Sequence, residues 1–140
     1  MKILRFLLLF SWGAALPALA QPAEFRADVA RLSSAGGQVT LTAAVAYEKA
    51  PGAFGWSISL PAGWKLVAVG GPHVPAVAPE AGSTGQLDFA YTSVPGGRAE
   101  FSLVVSYPGG TEAGRLAAEV LIRRDGKLIT LTPADISLPR

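Results

Sequence analysis

Val39-Thr40-Leu41-Thr42-Ala43-Ala44-Val45-Ala46-Tyr47 decides the fold. Val39, Leu41, Ala43, Val45 and Tyr47 occupy every second position of this run, with Thr40 and Thr42 between the first three. Successive side chains of an extended chain point to opposite faces, so this spacing describes a strand with one face in a core. The same alternation recurs on both sides of it. Upstream, Phe25-Ala27-Val29 predicts a first strand, closed by the turn residues Ser33-Ser34-Ala35-Gly36-Gly37. Downstream, Phe54-Trp56-Ile58-Leu60 alternates with Gly55, Ser57 and Ser59, and Pro61-Ala62-Gly63 turns the chain into Trp64 to Val69.

Between Gly70 and Gln86 the alternation weakens among Pro72, Pro75 and Pro79, and the spacing predicts only a short edge strand over His73 to Val77. It resumes in Leu87-Phe89-Tyr91, Phe101-Leu103-Val105-Tyr107 and Leu116-Ala118-Val120-Ile122. Gly96-Gly97 and Gly109-Gly110 stand between strands, as hairpin turns would place them. Asp125-Gly126 is a strong hairpin signal, because a type I′ turn needs positive φ at both central residues. Lys127 to Leu131 then returns antiparallel, and Asp135 to Leu138 ends the series. Eight or nine strands without an amphipathic helical stretch predict an all-β chain. An antiparallel β-sandwich, jelly-roll or immunoglobulin-like, buries one apolar face of each strand.

The N-terminus reads as a secretory leader. Lys2 and Arg5 precede the uncharged, mostly apolar Phe6 to Leu16, and Ala18-Leu19-Ala20 places small residues where a signal peptidase cuts. The apolar stretch is well short of the roughly 20 residues a bilayer requires. The expectation is a signal peptide over 1–20 and one β-sandwich domain over 21–140, periplasmic or extracellular, with no membrane span after signal removal. Removing the leader takes two of the 12 basic residues and leaves ten against ten acidic ones. A neutral mature chain gives no electrostatic footprint for nucleic acid. There is no cysteine, so stability has to come from burial and sheet hydrogen bonds rather than disulfides.

Gly52-Ala53-Phe54-Gly55-Trp56-Ser57-Ile58-Ser59-Leu60-Pro61-Ala62-Gly63-Trp64-Lys65-Leu66 resembles the strand-turn-strand of cohesin-like and carbohydrate-binding-module-like sandwiches of secreted bacterial proteins. Gly85 to Tyr91 and Leu116 to Val120 resemble the strands that follow in such modules. The resemblance is one of pattern, spans roughly Gly37 to Leu131, and implies a jelly-roll-like sandwich with a non-catalytic binding or assembly role.

Signs of chemistry are few. His73 is the single histidine, and only Glu80 is a nearby acid, in a Gly/Pro-rich loop. General acid–base work and metal binding both require several converging groups. Neither a Gly-x-Ser-x-Gly elbow nor a Ser-x-x-Lys occurs, and the acids are dispersed. No enzyme, cofactor or metal site is therefore expected. Trp56 shares the parity of Phe54 and Ile58 and is assigned to the core.

Two binding readings remain. Thr40, Thr42, Ser57, Ser59, Ser102 and Ser106 lie out of phase with the core, as do Ala44, Ala46 and Val104. They are small and uncharged where an ordinary solvent face carries Lys and Glu. This pattern predicts a flat face that docks another secreted or surface protein, or a second copy in a homo-oligomer. The alternative is a carbohydrate-binding module that stacks a polysaccharide on Trp64, Tyr91 and Tyr107.

Overall fold

A computed structural model describes residues 23–140 as nine strands in two packed layers. The leader assigned to residues 1–20 and the start of the domain at Gln21 lie outside the described residues. The strands are β1 (Ala23–Ala27), β2 (Gly37–Ala46), β3 (Ala53–Ser59), β4 (Lys65–Gly70), β5 (Gln86–Tyr91), β6 (Arg98–Tyr107), β7 (Gly114–Arg124), β8 (Lys127–Leu131) and β9 (Ile136–Leu138). One sheet has the order β1-β2-β6-β4, the other β5-β3-β7-β8, and β9 pairs with the start of β7. Every pairing is antiparallel. The expected all-β antiparallel sandwich is the fold.

Period-two burial explains the layers. Val39, Leu41, Ala43 and Val45 of β2 face the interior with Phe101, Leu103 and Val105 of β6. The other sheet meets them with Phe54, Trp56 and Ile58 of β3, Leu87 and Phe89 of β5, and Leu116, Val120 and Ile122 of β7. Aromatic rings knit the layers together, with Trp56 edge-on to Phe101 at 6.3 Å and Phe89 tilted against Phe101 at 4.9 Å. In β4 a bulge between Leu66 and Ala68 leaves Val67 outside and returns Val69 to the core side. One extra residue thereby corrects the parity of a strand that would otherwise turn its second half outward.

Several connections differ from the sequence expectation. Gly96-Gly97 joins β5 to β6 and Gly109-Gly110 joins β6 to β7, and in both cases the two strands belong to different sheets. These glycines therefore form arches between layers, not hairpins. Gly109 packs so closely on the 34–35 backbone that an added Cβ would lie 2.9 Å from the Ser34 oxygen. The expected edge strand over His73 to Val77 is reduced to one bridge, Val77 to Ala90. The β7–β8 hairpin turns through Asp125 (φ 52°) and Gly126 (φ 75°), the type I′ conformation expected for that pair.

Candidate docking face

The outward residues of the β1-β2-β6-β4 sheet form rows fixed by strand register. Thr42 lies opposite Ser102, with Arg26 of β1 beyond Thr42 and Gly70 of β4 beyond Ser102. The next row sets Thr40 against Val104 and Ala68, and the row after that sets Gln38 against Ser106 and Lys65. Thr40, Thr42, Ser102, Val104 and Ser106 are all half-buried although no element covers them, because short side chains on a flat sheet shield one another. Rows about 6.6 Å apart on β2, β6 and β4, strands about 4.8 Å apart, give a patch of roughly 13 Å by 10 Å, flanked on the β1 side by Arg26 and by Asp28, whose carboxylate accepts the Thr40 N–H at 3.0 Å.

Charge borders this patch at one end. Arg98 reaches Glu100 at 2.8 Å and Glu24 at 3.8 Å, while Arg26 holds Glu24 at 2.9 Å. The network spans β1, β2 and β6 and buries Ala44 between Glu24 and Glu100. These pairs are exposed, so each contributes little to stability, of the order of 0–1 kcal/mol. What they provide is a rim of fixed charge beside a neutral centre. Lys65 stands at the opposite end.

Of the residues assigned to one docking face, the structure brings four together and separates two. Thr40, Thr42, Ser102 and Ser106 share the patch just described. Ser57 and Ser59 lie on β3, on the outer face of the other sheet. Parity places a residue inside or outside its sheet but does not identify the sheet, and that is why the six appeared as one set. Ser57 is in addition buried, in register between Asp88 and Glu119, and is not available as a contact surface. Ser59 lines a shallow depression of about 260 Å³ with Gln86, Ala117, Glu119, Thr132 and Asp135.

The aromatic candidates are part of the core. Trp64 is 2 % exposed, packs on Tyr107 with ring centroids 5.3 Å apart, and lies against Gly114, where an added Cβ would meet its ring at 2.5 Å. Tyr91 is stacked on Phe54 at 4.4 Å, and its hydroxyl donates to the His73 carbonyl. The Tyr107 hydroxyl accepts the Ser33 N–H at 2.9 Å. All three rings are buried, so Trp64, Tyr91 and Tyr107 do not form the exposed platform that sugar stacking requires. Burial raises the phenol pKa of Tyr91, with the neighbouring Tyr47 a lesser cause, and burial alone raises that of Tyr47.

His73 has a structural role. Its Nδ1 accepts the Glu100 backbone N–H at 3.1 Å, and the His73 backbone N–H donates to the Glu100 carbonyl at 2.9 Å. Together these bonds pin the 71–80 loop to β6. Among the described residues no group of three or more His, Asp or Glu converges as a metal site. No helix among them is long and apolar enough to cross a membrane.

One feature gave no sequence signal. Arg140 donates to the carbonyls of Glu112 (2.7 Å), Ser33 (2.7 Å) and Pro108 (2.9 Å), with its guanidinium 5.2 Å from the Tyr107 ring centre. A single side chain thereby ties the β1–β2 and β6–β7 loops together at one end of the sandwich.

No known family matches the chain, and no curated protein matches it in sequence. Solved structures match it in fold. The collagen-binding domain of a Staphylococcus aureus adhesin superposes with a TM-score of 0.55 at 10% identity, covering 85% of this chain and 97% of that one. The reeler domain of human F-spondin superposes with a TM-score of 0.50 at 10% identity, covering 85% and 89% respectively. At that identity the likeness is one of fold, and it places the chain among β-sandwich domains.

Proposed function

We propose that this chain is an exported, non-catalytic binding module that docks a protein partner on the outer face of its β1-β2-β6-β4 sheet. The observation that carries this is the patch of Thr40, Thr42, Ser102, Val104, Ser106 and Ala68, neutral at its centre and bordered by the Glu24–Arg26–Arg98–Glu100 network. Interface centres are depleted of charged residues and ringed by a polar rim. The patch covers only about 130 Å², against roughly 800 Å² per partner in a standard interface. The charged rim and Lys65 therefore have to join it, and the complex is a transient one, weakened by salt. The adhesin domain of similar fold, described as collagen-binding, supports reading this sandwich as a binding scaffold. Export rests on the leader pattern of residues 1–20, which suits a partner in the periplasm or outside the cell.

A polysaccharide partner is disfavoured because the three aromatic candidates are enclosed. The test uses Thr42→Arg together with Ser102→Arg, two adjacent positions in one row. Association with the chain's partner in periplasmic and extracellular fractions is expected to be lost. The melting midpoint should stay within about 2 °C, as for other surface substitutions. Ser59→Arg, on the opposite sheet, should leave association intact. Undiminished association of the Thr42/Ser102 double variant would reject the face.

A further inference from the structure

The sandwich has four sheet edges, and three are guarded. At the β4 edge the Leu66 N–H donates to the Ser83 carbonyl at 2.9 Å, and the Leu66 carbonyl accepts the Gly82 N–H at 2.7 Å. At the β5 edge Ala90 exchanges both backbone bonds with Val77, at 3.0 and 3.1 Å. The β1 edge is five residues long and carries the charged Glu24 and Arg26, residues that discourage strand addition.

The β8 edge is equally short, but among the described residues no loop covers it and its one charged residue, Lys127, sits at the turn. The two-residue turn makes Arg124 and Lys127 a hydrogen-bonded pair, and the alternation repeats at Ile122 with Ile129 and Val120 with Leu131. The N–H and C=O groups of Leu128 and Thr130 therefore point away from the sheet. Among the described residues no loop backbone bonds to them. The side chains beside them are apolar and open, Leu128 at 60 % and Ile129 at 39 % exposure.

We infer that β8 is a self-association edge, pairing antiparallel with β8 of a second copy about a two-fold axis through Ile129. In that register Leu128 of each copy exchanges both backbone bonds with Thr130 of the other, and the two Ile129 side chains meet. Charge selects this occupant and this direction. Arg123, Arg124 and Lys127 cluster at the hairpin end with only Asp125 among them, while the other end carries Glu119 and an Asp135 paired with Arg115 at 3.2 Å. Antiparallel pairing keeps the two cationic tips at opposite ends of the joint, each Lys127 falling opposite the uncharged Leu131 of the other copy. A parallel arrangement would superimpose the cationic tips. The two-fold closes on itself, so pairing yields a dimer with one continuous ten-stranded layer and no growing filament. Both β1-β2-β6-β4 faces stay open in it, and the dimer does not depend on what those faces bind.

Edge pairing over five residues is small beside a standard interface, so half-association belongs between about 10 μM and 1 mM. Sedimentation velocity of the purified chain across that range should show a monomer–dimer equilibrium. Amide exchange at Leu128 and Thr130 should slow as the dimer fills, which contact through a sheet face would not cause. Thr130→Pro removes an outward N–H that β7 does not use and should leave a folded monomer. Leu128→Lys with Thr130→Lys sets like charges opposite one another in both new pairs and should also abolish the dimer. Mixing that variant with Leu128→Glu, Thr130→Glu should restore a heterodimer. The proposal is overturned by a chain that stays monomeric to 1 mM, or by a dimer that survives the double-lysine substitution.

Discussion

Gly114→Ala tests whether Trp64 is a core residue held by space that a distant glycine leaves open. Gly114 begins β7, and its φ is not in the left-handed region, so alanine meets no backbone penalty there. The added Cβ would lie 2.5 Å from Trp64 Cζ2, 2.9 Å from Cη2 and 3.0 Å from Leu32 Cδ1, where ordinary contacts are 3.4–4 Å. The indole has to retreat by about 1 Å, and its far side is against Tyr107, itself anchored to the Ser33 N–H. Overpacking of this kind costs about 1–3 kcal/mol. The loss of glycine's freedom in the unfolded chain offsets about 0.4–1 kcal/mol of that. The net destabilisation is about 1–2 kcal/mol. With an unfolding entropy of about 2.1 cal/mol/K per residue, it lowers the melting midpoint of this domain by about 4–8 °C. Calorimetry measures the midpoint, and double-mutant analysis with Trp64→Phe isolates the contact. The smaller ring should recover at least about 0.5 kcal/mol in the alanine background beyond additivity. A Gly114→Ala protein that melts within a degree of the parent would refute the placement of Trp64, and strictly additive effects would refute the contact.

Further expectations follow from the same packing. Trp56 is fully buried and its Nε1 has no hydrogen-bond partner, so Trp56→Ala should cost about 3–5 kcal/mol. Trp56→Phe removes an unpaired N–H along with some volume and should cost far less, about 1 kcal/mol, in denaturant titrations. Gly126→Ala meets no atom within 4 Å but holds φ at +75°, so it should cost about 1–2 kcal/mol through backbone strain alone. The phenols of Tyr47 and Tyr91 are raised above the usual 10.0, chiefly by burial, so both stay protonated in the folded state beyond the pH at which the unfolded chain ionises. Their stabilising contribution is complete below about pH 10 and is lost as pH rises above it. An alkaline titration should show their tyrosinate absorbance appearing together with loss of sheet circular dichroism.

Period-two hydrophobicity was enough to read β2, β3, β5, β6 and β7, because one buried face per strand writes itself into alternate residues. The Asp125-Gly126 hairpin was legible for a local reason, since few dipeptides accept positive φ twice. Which layer each strand joins was not legible. Pro95-Gly96-Gly97 has the composition of a tight turn, yet it carries the chain from one sheet to the other. That ambiguity merged Ser57 and Ser59 with the four residues of the opposite face. The burial of Trp64 was hidden as well, because Gly114, which makes room for its ring, lies 50 positions further along. Arg140 had no local pattern, since its three carbonyl partners come together only after both sheets have assembled.

A photo-crosslinking scan in the cell addresses the docking face most directly. Probes at Val104 and Ala68 sample the neutral patch, and probes at Gln86 and Ala117 sample the outer surface of the other layer. Adducts to one protein partner at Val104 and Ala68, lost with Thr42→Arg and Ser102→Arg and not formed from Gln86 or Ala117, are the predicted result. Adducts that form from Gln86 and Ala117 but not from Val104 or Ala68 would contradict it.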